Sequence, residues 1–286
     1  IRGLRRQINM TKGGEKTMGD SLKRKRRLWV LIWCVCCAGA ASAMLWAVQR
    51  AAPVCRQSDL ETTTFVSAQA LAEEDGEKRV FLTFDDGPSA TTETVLDVLK
   101  EKEVPATFFV VSADNNKDHL PLIKRAVEEG HQIALHSCTH SYKTIYASST
   151  AFWADIKELR QQIEPYVDLE SVHWLRFPGG STNTVSHKYG GSSIMKNLVA
   201  QAAEKGYRYV DWNVCAEDAA GGHPTADDVY RNVVRGAEGK NVCVVLMHDT
   251  KATRKTTAEA LPGVIDWVHE QGDRISRVDG LGRRVT

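Results

Sequence analysis

The sequence carries no surplus of charge. Its 37 Lys and Arg against 36 Asp and Glu leave a net +1 over 286 residues. That total supplies no electrostatic footprint for a nucleic-acid partner. Seven cysteines are present; the one C-x-x-C spacing, Cys34 to Cys37, falls inside an apolar run and the four other cysteines form none, so neither a zinc ribbon nor a thioredoxin-like site is supported. No G-x-G-x-x-G follows a strand-like segment, which leaves nucleotide binding without a motif. Apolar content is ordinary for a globular protein at 42%. The length suits one large domain plus appendages.

The neutral total hides an asymmetry, because the first fifty residues are basic. Residues 1–27 read as a basic cytoplasmic tail without periodicity. The chain opens on Ile1, and Met10 and Met18 stand as candidate starts. Lys23-Arg24-Lys25-Arg26-Arg27 abuts an uncharged stretch over residues 28–48, about twenty residues and so the length of a membrane-spanning helix. Trp29, Trp33 and Trp46 lie toward its ends, and the basic cluster before it predicts an inward N-terminus with the rest outside. The expectation is a single-pass signal-anchor in the cell membrane with an extracellular domain. The rival is a cleaved signal peptide, with Ala41-Ser42-Ala43 as a small-residue cleavage site and a secreted product. Residues 49–78 read as a linker. Cys34, Cys36 and Cys37 share the apolar run, while Cys55, Cys138, Cys215 and Cys243 are scattered. Those four leave both a disulfide and free buried thiols open.

From Lys78 onward the chain alternates between two periods. Strands are predicted at 80–84, 106–111, 132–135, 172–177, 207–214, 242–247 and 274–278. Helices are predicted at 92–103, 120–129, 151–166, 193–205, 226–237 and 257–270. Such alternation argues a parallel sheet with helical crossovers. The fold expected for the domain, 79–286, is α/β: a distorted (β/α) barrel of about seven strand–helix units, preceded by the transmembrane helix. An open doubly wound sheet is the alternative.

The stretch Val80-Phe81-Leu82-Thr83-Phe84-Asp85-Asp86-Gly87-Pro88-Ser89 is a short apolar run ending in two carboxylates and a turn. Held in different environments, two neighbouring carboxylates divide their work: one binds a cation and the other moves a proton. Asp-Asp-Gly-Pro is also plain turn chemistry. Other polar residues collect at the ends of other strands: His136-Ser137-Cys138-Thr139-His140, Arg176 before Pro178-Gly179-Gly180, Asp218, and His248-Asp249. In a β/α barrel the C-terminal strand ends form the face that carries the active site. His136 and His140 are four apart, which on a helical turn places both imidazoles on one face. With one Asp they make a two-His, one-carboxylate set that leaves coordination positions open.

These segments resemble the polysaccharide deacetylase family, the NodB-homology domain of carbohydrate esterase family 4, over about Arg79 to Val278. The residues that carry the resemblance are Thr83 to Pro88, His136 to His140, Arg176 to Gly180, Asp218, and Leu246-Met247-His248. The resemblance implies that Asp85 is the general base and that Asp86, His136 and His140 hold a divalent metal, zinc or else cobalt, nickel or manganese. It implies that Arg176 pairs with Asp218 and positions the catalytic Asp, and that His248 is the general acid. Leu246 would line the pocket for the acetyl methyl, and Gly179 N–H would help bind the oxyanion.

Two departures stand out. The family's third motif often has Tyr where this chain has Gly179, and its fourth often has Trp where Ala219 follows Asp218. Trp212 offers another ring, either for a sugar or for core packing. The activity implied is metal-dependent N-deacetylation of a GlcNAc-containing cell-wall polysaccharide, peptidoglycan above all. The alternatives are a chitooligosaccharide deacetylase, an acetylxylan esterase of the same fold, or a catalytically silent carbohydrate-binding domain. The partners expected are the polysaccharide and the membrane, with no nucleic acid.

Overall fold

The computed structural model describes residues 78–281. The expected tail at 1–27, the apolar span at 28–48 and nearly all of the linker lie outside the described residues. No described helix is long and apolar enough to cross a membrane.

Eight parallel strands form one sheet. They are β1 Arg79–Asp85, β2 Thr107–Val111, β3 Gln132–Ser137, β4 Trp174–Leu175, β5 Arg208–Tyr209, β6 Val214–Cys215, β7 Val242–His248 and β8 Arg274–Ile275. The helices between them are α1 Ala90–Glu101, α2 Leu122–Glu128, α3 Tyr142–Ile145, α4 Ser149–Ile163, α5 His187–Gly190, α6 Ile194–Glu204, α7 Ala226–Ala237 and α8 Thr257–Glu270. The sheet order is β5-β4-β3-β2-β1-β7-β6, with β8 paired to the start of β1. This is the cyclic order of a barrel with one pairing missing: β5 and β6 do not meet among the described residues. The sheet is therefore a curled, incompletely closed barrel rather than a doubly wound one.

The gap corrects the expected strand at 207–214, which is two short strands joined by Val210–Asn213. Side chains replace the ladder in that connection. Asn213 donates through Nδ2 to Val242 O (2.8 Å) and accepts from Val244 N–H (2.8 Å). The buried Arg176 guanidinium donates to Val210 O (3.0 Å) and Asp211 O (3.3 Å). Buried carbonyls need donors wherever a ladder stops.

Strand alternation sorts side chains between two layers. Val80, Leu82 and Phe84 of β1 join Val245 and Met247 of β7 in the core beneath the helices. Phe81 packs on the opposite face with Phe109, Ala134, Trp174, Val210, Val242 and Val244 inside the barrel. Period two places Thr83 and Asp85 above Phe81, His136 above Ala134, Arg176 above Trp174, and Leu246 and His248 above Val244. The interior column thus begins apolar and ends polar. Helix caps follow the sequence: Ser89 accepts from Thr91 N–H (3.0 Å) while Thr92 Oγ1 accepts from Ser89 N–H (2.7 Å), starting α1 beside the two carboxylates. On α4 the residues Phe152, Ile156, Leu159 and Ile163 are buried at helical spacing, and Asp155 is buried among them.

Arg176 joins β1, β4 and the β5–β6 connection. Replacing it by Met keeps the volume but leaves Asp85 buried and unpaired, which costs roughly 3–5 kcal/mol. Thermal unfolding followed by circular dichroism is expected to show Arg176→Met melting about 10 °C lower. An unchanged melting temperature would show that the gap is held by something else.

Candidate active site

The two adjacent carboxylates diverge because the chain turns between them. Asp85 is the last residue of β1 and points into the barrel. Asp86 has φ +70, a left-handed conformation uncommon for a non-glycine residue. Several bonds hold that turn. Asn116 Nδ2 donates to the carbonyls of Asp86 (2.9 Å) and Pro88 (3.0 Å). Val111 N–H donates to Gly87 O (2.7 Å). The Asp249 carboxylate lies against Gly87 so closely that no side chain fits there. Thr92 Oγ1 donates to Asp249 Oδ2 (2.5 Å), and burial pushes the Asp249 carboxyl up to about 7.

Asp85 is buried and accepts from Arg176 Nη1 at 2.8 Å. The same nitrogen donates to Thr83 Oγ1 at 2.8 Å, and the guanidinium lies 4.1 Å from the Phe109 ring centroid. Burial raises the Asp85 pKa, and the Arg176 charge opposes that rise. The expected Arg176–Asp218 pairing is corrected here: Arg176 pairs with Asp85, and Asp218 belongs to His248.

His136 ends the interior column of β3, and His140 follows one turn later. The helical geometry expected for this pair is also corrected. The rings meet, 5.2 Å between centroids, because His140 takes φ +50. One buried carboxylate builds that turn. Asp155 Oδ2 accepts from Ser137 Oγ–H (2.8 Å) and Cys138 N–H (2.7 Å). Its Oδ1 accepts from Thr139 N–H (3.0 Å) and Thr139 Oγ1–H (2.7 Å). Ser137 Oγ in turn accepts from His140 N–H (2.8 Å). Cys138 faces away from the two imidazoles toward Gln162. Cys138, Cys215 and Cys243 are not disulfide-bonded; Cys55 lies outside the described residues.

Asp86 Oδ1 lies 3.4 Å from His136 Nε2 and 3.2 Å from His140 Nε2. All three donor atoms fall within 4.8 Å of one another. Ligands at 2.0–2.2 Å in a tetrahedron stand about 3.4 Å apart, so the set fits a small divalent cation. Two further observations agree. Asp86 Oδ1 is buried without a hydrogen-bond partner. His136 Nδ1 bonds the Arg176 carbonyl (2.7 Å), which orients Nε2 toward the carboxylate. Burial drives the His136 pKa down to about 3, so its imidazole is neutral and has a lone pair to give. The His140 and Asp86 side chains are 33% and 26% exposed, so the set opens to solvent on their side.

Across the sheet, β7 carries Leu246 and His248. Asp218 Oδ1 meets His248 Nδ1 at 2.9 Å, and Oδ2 accepts from His248 N–H at 2.6 Å. Thr257 Oγ1 also donates to Oδ2. Burial opposes the charge on both partners, yet their attraction prevails. His248 is raised to about 10 and Asp218 is held below its usual range. Asp211 is placed elsewhere, accepting from Ser181 N–H and Oγ–H. Trp212 packs over Gly180, 3.3 Å from where a Cβ would stand. Gly179 follows Pro178 with φ +78 and is half-buried at the rim. A cleft of about 500 Å³ lined by Trp153, Arg160, Lys205 and Tyr207 shares no residue with this constellation.

Thus Asp85, Asp86, His136, His140, Arg176, Asp218 and His248 converge at one end of the barrel. Asn116, Asp155 and Thr257 were not foreseen. Asp155 had a legible signal, a carboxylate inside the apolar stripe of a helix.

A family model for polysaccharide deacetylases matches residues 72–210. A peptidoglycan-N-acetylglucosamine deacetylase of Bacillus cereus is 29% identical, over 79% of this chain and 97% of its own length. A chitooligosaccharide deacetylase of Rhizobium leguminosarum is 31% identical, over 68% of this chain and 88% of its own. The crystal structure of the catalytic domain of a peptidoglycan N-acetylglucosamine deacetylase from Eubacterium rectale superposes with TM-score 0.68 and 35% identity, covering 74% of this chain and 95% of that one. The chain belongs to the polysaccharide deacetylase family.

Two measurements check this geometry. Asp155→Asn turns an amide toward backbone donors and is expected to weaken zinc binding 10- to 100-fold, read by chelator competition; an unchanged affinity would contradict the role of Asp155 in shaping the turn. The second is a pH dependence. The folded His248 pKa lies above its ordinary 6.5, so the pair's stabilisation is full below about 6.5 and is lost as pH rises through about 10. In the metal-free protein, stability should decline over that window, and His248→Gln should flatten the decline. Parallel curves for the two proteins would contradict the pairing.

Proposed function

We propose that the chain is a metal-dependent deacetylase that removes N-acetyl groups from GlcNAc residues of a cell-wall polysaccharide, with peptidoglycan as substrate. The observation that carries the proposal is the partition of the aspartate pair. Asp85 is held by Arg176, and Asp86 is turned toward two imidazoles. The names of the Bacillus cereus and Eubacterium rectale relatives support the substrate. The Rhizobium relative supports short chitin oligomers as the alternative.

Asp86, His136 and His140 would hold the cation, zinc being the natural match to two imidazoles and one carboxylate. Bound there, it would supply Lewis acidity and a more acidic water. The chain's residues do the rest. Asp85 takes a proton from the attacking water as the water oxygen bonds to the acetyl carbon. Arg176 keeps that carboxylate oriented. Gly179 N–H donates to the carbonyl oxygen as charge develops on it. His248, protonated at neutral pH by its pairing with Asp218, gives its proton to the nitrogen as the C–N bond breaks. Leu246, two residues before His248 on the same face, lines the space for the methyl group. The products are acetate and a glucosamine amine. The apolar span at 28–48 would hold the domain at the outer face of the membrane, beside such a polymer.

Acetate release from peptidoglycan and from chitin oligomers tests the proposal. Chelation is expected to abolish release and zinc to restore it. Asp85→Asn should lose at least ~10³-fold in kcat while still binding zinc. A zinc-loaded wild type that releases no acetate from either polymer would overturn the assignment.

A further inference from the structure

Gly179 leaves a space, and that space is filled. A Cβ built on Gly179 would lie 2.5 Å from the Tyr142 hydroxyl oxygen. By standard bond lengths the phenol oxygen is then within roughly 5 Å of Gly179 N. Tyr142 begins α3, directly after the histidine turn. Its ring meets His140 edge-on, 5.9 Å between centroids, and Tyr146 edge-on at 5.4 Å. Tyr146 lies one turn later on the same short helix and behaves differently. It is fully buried, and its O–H donates to Pro178 O at 2.7 Å. That bond clamps α3 to the Pro178-Gly179 turn. The Tyr142 hydroxyl has no hydrogen-bond partner among the described residues and is not among the buried unpaired atoms. Its ring is half-buried, so the body packs while the polar tip keeps access to solvent. A phenol in that position is a donor waiting for an acceptor that arrives with the substrate.

We propose that Tyr142 is a catalytic residue whose O–H, beside Gly179 N–H, donates to the acetyl oxygen as negative charge develops there. This rests on the deacetylase assignment and names a donor that the sequence motifs did not single out. Glycine at 179 and tyrosine at 142 are one device, since any side chain at 179 would displace the phenol. The ring that the third motif lacks is thereby supplied from α3, carrying its hydroxyl with it.

Tyr142→Phe removes only the oxygen and keeps the packing against His140 and Tyr146. In the zinc-loaded full chain its kcat on chitotetraose is expected to fall about 10²-fold, with KM within about twofold of wild type. Zinc content and melting temperature should not change. A binding readout runs in parallel: acetohydroxamate, which presents a carbonyl oxygen without turnover, should bind the variant about tenfold more weakly. Unchanged kcat and hydroxamate affinity would overturn the proposal, as would losses that only track lost zinc. A wild type that releases no acetate would sink the deacetylase assignment instead. The hydroxamate affinities of the two proteins would then decide on Tyr142 by themselves.

Discussion

The ion pair between Arg176 and Asp85 is the constraint on which the rest of this molecule depends. A guanidinium with no exposure and a carboxylate with almost none face each other at 2.8 Å. Neither would be tolerable alone, because an unpaired buried charge costs several kcal/mol. The remaining Arg176 donors reach Thr83 on β1 and the carbonyls of Val210 and Asp211. The residue therefore ties the central strand β1 to the place where the barrel fails to close. Its own carbonyl receives His136 Nδ1. A single side chain and its backbone thus orient Asp85 and one imidazole of the candidate cation site.

From that pair follows a division of labour. Asp85 is occupied on one oxygen by a cation that does not leave, which opposes the rise that burial gives its pKa. Asp86, thrown to the other side by its own left-handed backbone, has an unpaired oxygen beside two imidazole nitrogens. On the neighbouring strand the Asp218–His248 pair reverses the balance, with the carboxylate buried and the imidazole charged. Asp85, Asp86 and His248 are set apart by which partner each was given, not by residue type alone.

Much of this was legible in the chain. The apolar run into Asp85-Asp86 announced a strand end, and strand–helix alternation announced a parallel barrel. The histidine spacing announced that two imidazoles would meet, although the turn that brings them together is left-handed rather than helical. The gap at Val210–Asn213 was hidden, because a run from Tyr207 to Val214 has strand-like composition throughout and only Arg176 and Asn213 reveal that it breaks. The partner of Arg176 was misassigned for a similar reason: linear order cannot say which of Asp85, Asp211 and Asp218 a buried guanidinium meets. Tyr142 was invisible as a site residue, since its placement depends on what Gly179 lacks. Asp155 was readable only as an anomaly on the apolar face of α4.

The measurement that tests the central claim most directly is a crystal structure of the zinc-loaded protein, with anomalous scattering to locate the metal. The account predicts zinc on Asp86, His136 and His140, with Asp85 unligated and still paired to Arg176. Zinc bound by both aspartates, or Arg176 turned away from Asp85, would contradict it.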